Sequence, residues 1–407
     1  MKVELQINSS VSPGARFVAW APSPCRIRVT DPAGAASPVV NVNIAGKSMA
    51  TGGAVAFRTS TTGAFSNSLT LPVPISGASV PFFVAGKFGR PSVNNGDVTI
   101  EARTGTTLVG SVQVMVRIRK NANTLTSGER DRLISAFAQL NNQGAGRFTD
   151  FRDMHVEISL RQSHRAAGFL PWHRAYLLDL ERELQAIDAS VALPYWRFDR
   201  PAPNIFTREF LGVADSIGAV QFNPGHPLLF WRTDGMLGID RQPLFNTGVA
   251  PPNLFNEAET LGLGSQYKAF RAMEGNPHGF AHTSFDGFIS DAATAPKDPL
   301  FFLLHCNADR LWAKWQRRFN RFDSAVTASY DSNPANRLGH NLPDTMWPWN
   351  GLTGNTRPPT APGGALAVSP CVSAPGPQPR VRDGLDYQGS INAVSRMGFD
   401  YDDVPFA

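Results

Sequence analysis

The chain has 407 residues, 42% hydrophobic and 17% charged, enough for more than one hydrophobic core. Three widely spaced cysteines, Cys25, Cys306 and Cys371, exclude a disulfide framework and any Cys-x-x-Cys metal site. Residues 1–120 carry 12 Lys/Arg against 4 Asp/Glu and the remainder 26 against 29, but the basic residues are scattered without interleaved aromatics, which argues against nucleic acid as a partner.

Up to about residue 120 the hydrophobic period is two: Val3, Leu5, Ile7; Ile27, Val29; Val40, Val42, Ile44; Leu69, Leu71, Val73, Ile75; Val98, Ile100; Val112, Val114, Val116, Ile118. This alternation, broken by Pro, Gly, Ser and Asn, predicts about eight half-buried strands in an all-β sandwich without catalysis. At Thr126-Ser-Gly-Glu129 a capping box opens a helix with Leu133, Ile134, Phe137 and Leu140 on one face. The pattern therefore changes at about 122, and the expected domains are 1–122 and 123–407. Amphipathic helices are predicted over 171–188, with Tyr176, Leu177, Leu180, Leu184 and Ile187 in one stripe, and over 299–316, where Asp298 can cap and Pro299 fits the first turn. Pro- and Gly-rich residues 197–265 and 354–382 read as long loops. No apolar run approaches about 18 residues and the N-terminus lacks an apolar leader, so a soluble cytoplasmic protein without membrane contact is expected.

All eight histidines lie at or beyond residue 155. His226 and His340 sit in turn-like sequence and are expected at the surface. The other six form two sets, His155, His164, His173 and His278, His282, His305. His278 and His282 are four apart, after Asn276 as a plausible N-cap and Pro277 at the first helical position, so their imidazoles share a face. His173 and His305 fall on apolar helical stripes, where an imidazole must find a partner. Any one of them reads as a satisfied core histidine. Six together, without cysteines or a carboxylate run, read as two three-imidazole metal sites, a donor set suited to copper, zinc, iron or nickel.

Phe169-Leu-Pro-Trp-His-Arg174 with the following Tyr-Leu-Leu-Asp-Leu-Glu-Arg182 resembles the first copper motif of the tyrosinase and catechol oxidase family of type-3 copper proteins. Asp298-Pro-Leu-Phe-Phe-Leu-Leu-His-Cys-Asn-Ala-Asp-Arg-Leu-Trp312, preceded by Pro277-His-Gly-Phe-Ala-His282, resembles the second. The resemblance spans roughly 124–404. It implies a mainly α four-helix-bundle type-3 copper domain with long loops, fused behind the β-sandwich. Two copper ions would be held, one by His155, His164 and His173 and one by His278, His282 and His305, with dioxygen as co-substrate and a small phenol or catechol oxidised to an o-quinone. It further implies roles for neighbours: Glu274 would orient a water and help deprotonate a phenol, Ala292 would leave the entrance to the second copper open, and Thr283 would tune substrate preference. Asp309, four residues after His305, can accept from a ligand imidazole or pair with an arginine such as Arg310 or Arg182.

The sequence departs from the family in several places. Nine residues of unbroken helix would point His155 and His164 in opposite directions, so a break is required, expected near Ser159 to Ser163. Leu304 stands where the family has a second histidine beside His305. Gly279 replaces an asparagine that often follows the first histidine of the second motif, which favours catechol oxidation over monophenol hydroxylation. Arg197 occupies an acidic position of the family, with Asp199 as its substitute. Phe399-Asp-Tyr401 resembles the motif that closes the family's catalytic domain, and no lid domain is expected after it. The expected function is thus a dicopper oxidase of o-diphenols or o-aminophenols, with monophenols as an open extension. The basic 1–122 domain is expected to dock on the acidic remainder as lid or folding aid. The rival readings are a dioxygen-carrying or copper-storage protein without turnover and, more distantly, a dinuclear zinc or iron hydrolase.

Overall fold

The computed structural model describes residues 1–35 and 37–406. The chain divides into two compact units: residues 1–118 with 369–374 and 388–407, and residues 119–368 with 375–387.

Among the described residues the first unit contains nine strands: β1 (Lys2–Gln6), β2 (Phe17–Val18), β3 (Ser23–Asp31), β4 (Val39–Ser48), β5 (Val55–Arg58), β6 (Ser68–Pro74), β7 (Val80–Gly86), β8 (Val98–Thr104) and β9 (Thr107–Val116). They form a four-stranded sheet in the order β1-β3-β7-β5 and a five-stranded sheet in the order β2-β9-β8-β4-β6. Pairing is antiparallel except between β2 and β9. Ile27, Phe57 and Phe82 from one sheet and Val42, Ile44, Val98 and Ile100 from the other are buried in one core, as the period of two requires. The strands without an alternating signal have physical reasons for lacking it: β5 is buried at all four positions, β7 is buried at its last three, and β2 is two residues long.

Residues 388–407, which the sequence reading placed with the second domain, complete this first unit. The buried Trp20 indole N–H needs an acceptor and donates to the Tyr401 carbonyl at 2.8 Å. The Asp400 carboxylate accepts from the Ala21 amide at 3.0 Å, and Arg396 donates to Ser23 Oγ at 2.9 Å. Phe399-Asp-Tyr401 therefore closes the sandwich unit.

The second unit is built on α1 (Ser127–Asn141), α2 (Phe148–Met154), α3 (Leu160–Ser163), α4 (Phe169–Ile187), α5 (Glu257–Leu261), α6 (Tyr267–Phe270), α7 (Phe280–Thr283) and α8 (Leu300–Phe319). The Thr126/Glu129 capping box forms, and Leu133, Ile134, Phe137 and Leu140 are buried. Only α4 and α8 are long helices bearing histidines; they pack together, with α1 against α4. In place of the other long helices of an ideal four-helix bundle the chain has the short α2, α3, α6 and α7. Helices α4 and α8 carry the expected apolar stripe, yet Phe169–Arg182 and Leu300–Ala313 are buried on every side, polar residues included. Their charges survive burial through ion pairs, Arg119 with Glu181 at 2.8 Å and Arg174 with Asp309 at 2.6 Å. Among the described residues no helix is long and apolar enough to cross a membrane.

Candidate metal centre

The six histidines reach one place by different local routes. His173 lies on the first turns of α4, and its Nδ1–H donates to the Phe169 carbonyl one turn back at 2.9 Å. His278 does the same with the Glu274 carbonyl at 2.8 Å. His282, on α7, donates to the Ile289 carbonyl at 2.7 Å. His155 lies just past the end of α2 with φ −130° and ψ 69°, and Val156 is extended, so the break begins at 155–156. The expected break at 159–163 is instead helical, because Leu160–Ser163 form α3 and His164 leaves it with extended backbone. The break permits convergence: His155 Nε2 and His164 Nε2 are 2.8 Å apart. His155 Nδ1–H donates to the Ala292 carbonyl at 2.8 Å, and His164 Nδ1–H to Glu274 Oε1 at 3.1 Å.

These partners settle the tautomers. Carbonyl and carboxylate oxygens only accept, so five imidazoles carry their proton on Nδ1 and present a bare Nε2 lone pair inward. Between His155 and His164, two lone pairs face each other at 2.8 Å with no hydrogen between them. That arrangement is repulsive until a cation accepts both. His305 Nε2 lies 3.2 Å from both His278 Nε2 and His282 Nε2. The buried His173 Nε2 has no hydrogen-bond partner among the described residues. Burial first, then the neighbouring imidazoles, pushes His155, His173, His278 and His305 well below 6.5, and burial brings His282 down to about 4. Neutral, lone-pair-inward imidazoles are what a soft or borderline metal ion requires. His155, His164, His173 form one group that could hold an ion and His278, His282, His305 another, the ligand nitrogens of each lying within 4.8 Å of one another. The groups abut: the His173 and His305 rings stack with centroids 4.2 Å apart. The buried Phe301 ring packs on His155 at 4.9 Å and His305 at 4.2 Å, a wall against water shared by both.

The other predicted residues separate. Glu274, Gly279, Thr283 and Ala292 line a cavity of about 630 Å³ floored by His155, His164, His278 and His282. Glu274 spends Oε1 on His164 and on the Arg165 amide, at 2.7 Å, while Oε2 makes no hydrogen bond among the described residues. Thr283 Oγ1 donates to the Gly279 carbonyl at 3.1 Å. Ala292 acts through its backbone on the first group. A Cβ on Gly279 would come within 3.3 Å of the Glu274 carbonyl, a tight but helical position. Asp309 does not line the cavity: Arg174 Nε donates to Oδ1 at 2.6 Å and Arg119 Nη1 to Oδ2 at 3.3 Å. The arginine reading of Asp309 holds with different partners, since its side chain faces α4. Arg197 pairs with Asp199 at 3.1 Å. Asn276 does not cap; its side chain accepts from the Phe255 amide and donates to the Asn253 carbonyl.

The two histidines expected at the surface are buried. His226 stacks on Phe222. His340 Nδ1 accepts the Gly168 N–H at 3.0 Å and its Nε2–H donates to the Arg161 carbonyl at 2.9 Å, clamping both ends of the segment that carries His164. A Cβ on Gly168 would meet His340 Nδ1 at 2.5 Å, so glycine is required there by close approach. Arg337 donates to the His164 carbonyl at 3.0 Å and the Tyr267 hydroxyl to the Ala167 carbonyl at 2.6 Å. Nothing in the Leu-Gly-His-Asn turn signals this clamp, because its partners are more than 170 residues away.

Two abutting three-imidazole groups, one anchored on α4 through His173 and the other on α8 through His305, with four of the six imidazoles lining one cavity, define a candidate dinuclear metal centre. A family model, the common central domain of tyrosinase, matches residues 145–227 and 241–318. The chain is 36% identical over 234 residues to the tyrosinase of Streptomyces glaucescens, covering 49% of this chain and 83% of that protein. It is 32% identical over 269 residues to the tyrosinase of Streptomyces lincolnensis, covering 55% and 96%. Among solved structures, deoxygenated hemocyanin from Rapana thomasiana matches with a TM-score of 0.48 at 20% identity, covering 71% of this chain and 70% of that one. The chain belongs to the tyrosinase family and is a copper-dependent oxidoreductase; the family implies a dinuclear copper centre, and the donor set fits it.

Proposed function

We propose that this protein uses dioxygen to oxidise o-diphenols and o-aminophenols to o-quinones and quinone imines, with His155, His164 and His173 holding one copper and His278, His282 and His305 the other. The observation that carries this is the set of inward, proton-free Nε2 atoms, two of them 2.8 Å apart, beneath an open cavity. The copper pair supplies dioxygen binding and electron acceptance: two catechols give up four electrons and four protons as one dioxygen becomes two waters. The protein's share is positional and protic. Backbone carbonyls fix the tautomers, Phe301 excludes water, and Glu274 Oε2 accepts the proton of an incoming hydroxyl. Thr283 and Ala292 shape the mouth. Gly279 brings no side chain to share a water with Glu274, whose other oxygen is occupied, so monophenol hydroxylation is slow. The open cavity favours turnover over reversible dioxygen carriage. The sandwich unit, whose chain comes from both ends of the sequence, is assigned a non-catalytic role.

The test is initial rates of the copper-loaded chain on phenol, catechol and o-aminophenol with matched rings. Turnover of the last two, with phenol at least about tenfold slower, is expected. A protein that binds dioxygen at its copper pair yet oxidises none of the three contradicts the proposal.

A further inference from the structure

The cavity over the imidazoles is electrically lopsided. Its lining includes three cationic side chains, Arg165, Lys268 and Arg271, and a single carboxylate, Glu274. Lys268, Arg271 and Glu274 follow one another at intervals of three along the helical segment 267–274, so they share a face. Arg165 continues that face, because its amide is bonded to Glu274 Oε1. The opposite wall, Thr283, Ser290 and Ala292, is uncharged.

The one carboxylate does not neutralise the cations. Glu274 Oε1 already accepts two N–H groups. Arg271 lies 3.5 Å from Asp331, whereas the exposed side chains of Arg165 and Lys268 have no ion-pair or hydrogen-bond partner among the described residues. Arg165 is held at φ +57° directly after His164, which fixes where its side chain leaves the backbone. A further cation stands close by: Arg337 donates to the carbonyl of His164, the residue before Arg165, at 3.0 Å. A cleft lined by one sign of charge concentrates ligands of the other. The hydroxyl end of a substrate must reach the imidazoles and Glu274, which leaves its far end to the cationic wall.

We infer that the substrates are anionic: catechols or o-aminophenols with a carboxylate on a tail opposite the reacting hydroxyl, held by Arg165 and Lys268 with Arg271 behind them. This deepens the oxidase reading and rests on it. A carboxylate suits the site better than a neutral tail because two unpaired cations await it, and a cationic amine tail is repelled.

The experiment compares three catechols on the copper-loaded full chain: 3-(3,4-dihydroxyphenyl)propanoate, 4-ethylcatechol and 4-(2-aminoethyl)catechol. The expected kcat/KM falls in that order, with about tenfold between the anion and the neutral ring. The anion's advantage shrinks as salt rises to about 0.5 M. Lys268→Glu cuts the anion-to-neutral ratio about tenfold, and its copper content reports whether the fold is intact. A readout without turnover is calorimetry on metal-free protein, where 3-phenylpropanoate binds about tenfold tighter than 3-phenylpropanamide and Lys268→Glu abolishes the difference. Equal kcat/KM for all three catechols, or a ratio indifferent to salt and to Lys268→Glu, overturns the anionic assignment and leaves the oxidase reading standing. Failure to oxidise any catechol overturns both.

Discussion

The two histidine groups perform the same task with different construction. In the second group, His278 is oriented from its own turn, His282 from seven residues ahead, and His305 rides on the long α8. In the first, only His173 is oriented from its own helix. His155 and His164 sit at chain breaks and depend on segments more than a hundred residues away: the Ala292 carbonyl, the Glu274 carboxylate, and the Arg337 and His340 clamp. A site borne on helices inherits its geometry from local backbone, whereas a site borne on breaks must import it. The first group should therefore be the more fragile to distant mutations and the second the more robust.

The largest effect is common to both and comes from removing the metal. The folded-state pKa values of His155, His173, His278 and His305 lie well below the unfolded value of 6.5, and that of His282 is lowered to about 4. The unfolded chain thus binds more protons in that window, so stability is fully present above pH 6.5 and lost as pH falls toward 4. Melting of metal-free protein should fall steeply from pH 6.5 to 4, and bound copper should blunt that fall until the ligands protonate. A flat metal-free profile would contradict buried neutral imidazoles.

Asp309→Asn comes next. Its partner Arg174 follows His173, and Asp309 lies one turn beyond His305, so this buried pair ties the two groups together. Stability measured by denaturant should drop by about 3–5 kcal/mol, with copper affinity weakened in both groups alike. Loss confined to one group would show that the ion pair does not serve both.

The asymmetric variants separate the groups. Glu274→Ala removes the one acceptor that His164 Nδ1 has among the described residues while leaving the backbone carbonyl that serves His278. Copper affinity of the first group should fall about 10–100-fold in a stepwise titration, and the second should hold. His340→Ala, out of the cavity, should weaken the first copper by less, on the order of tenfold, with about 1–2 kcal/mol of stability lost for two hydrogen bonds. Equal weakening of both coppers by either variant would erase the contrast.

Legibility in the sequence followed the same contrast. Wherever geometry is local, the residues announced it: the alternating β1, β4, β6 and β8, the Thr126 capping box, the spacing of His278 and His282, and His173 on its stripe. The fully buried β5 has no period to show, and the burial of the polar residues inside α4 and α8 depends on ion pairs with partners distant in sequence. The break at His155, the buried His340 and the Ala292 carbonyl lie on long-range contacts that no spacing rule encodes. The return of residues 388–407 to the sandwich was hidden for the same reason, since Trp20 and Tyr401 are 381 residues apart.

His155 is the proposed ligand on which the first group, and hence the dinuclear reading, most depends. Copper per chain should be measured by metal analysis of the copper-loaded wild type and of His155→Ala. The account predicts two coppers in the wild type and one in the variant, with catechol oxidation lost. Two coppers retained in His155→Ala, or fewer than two in the wild type, would contradict it.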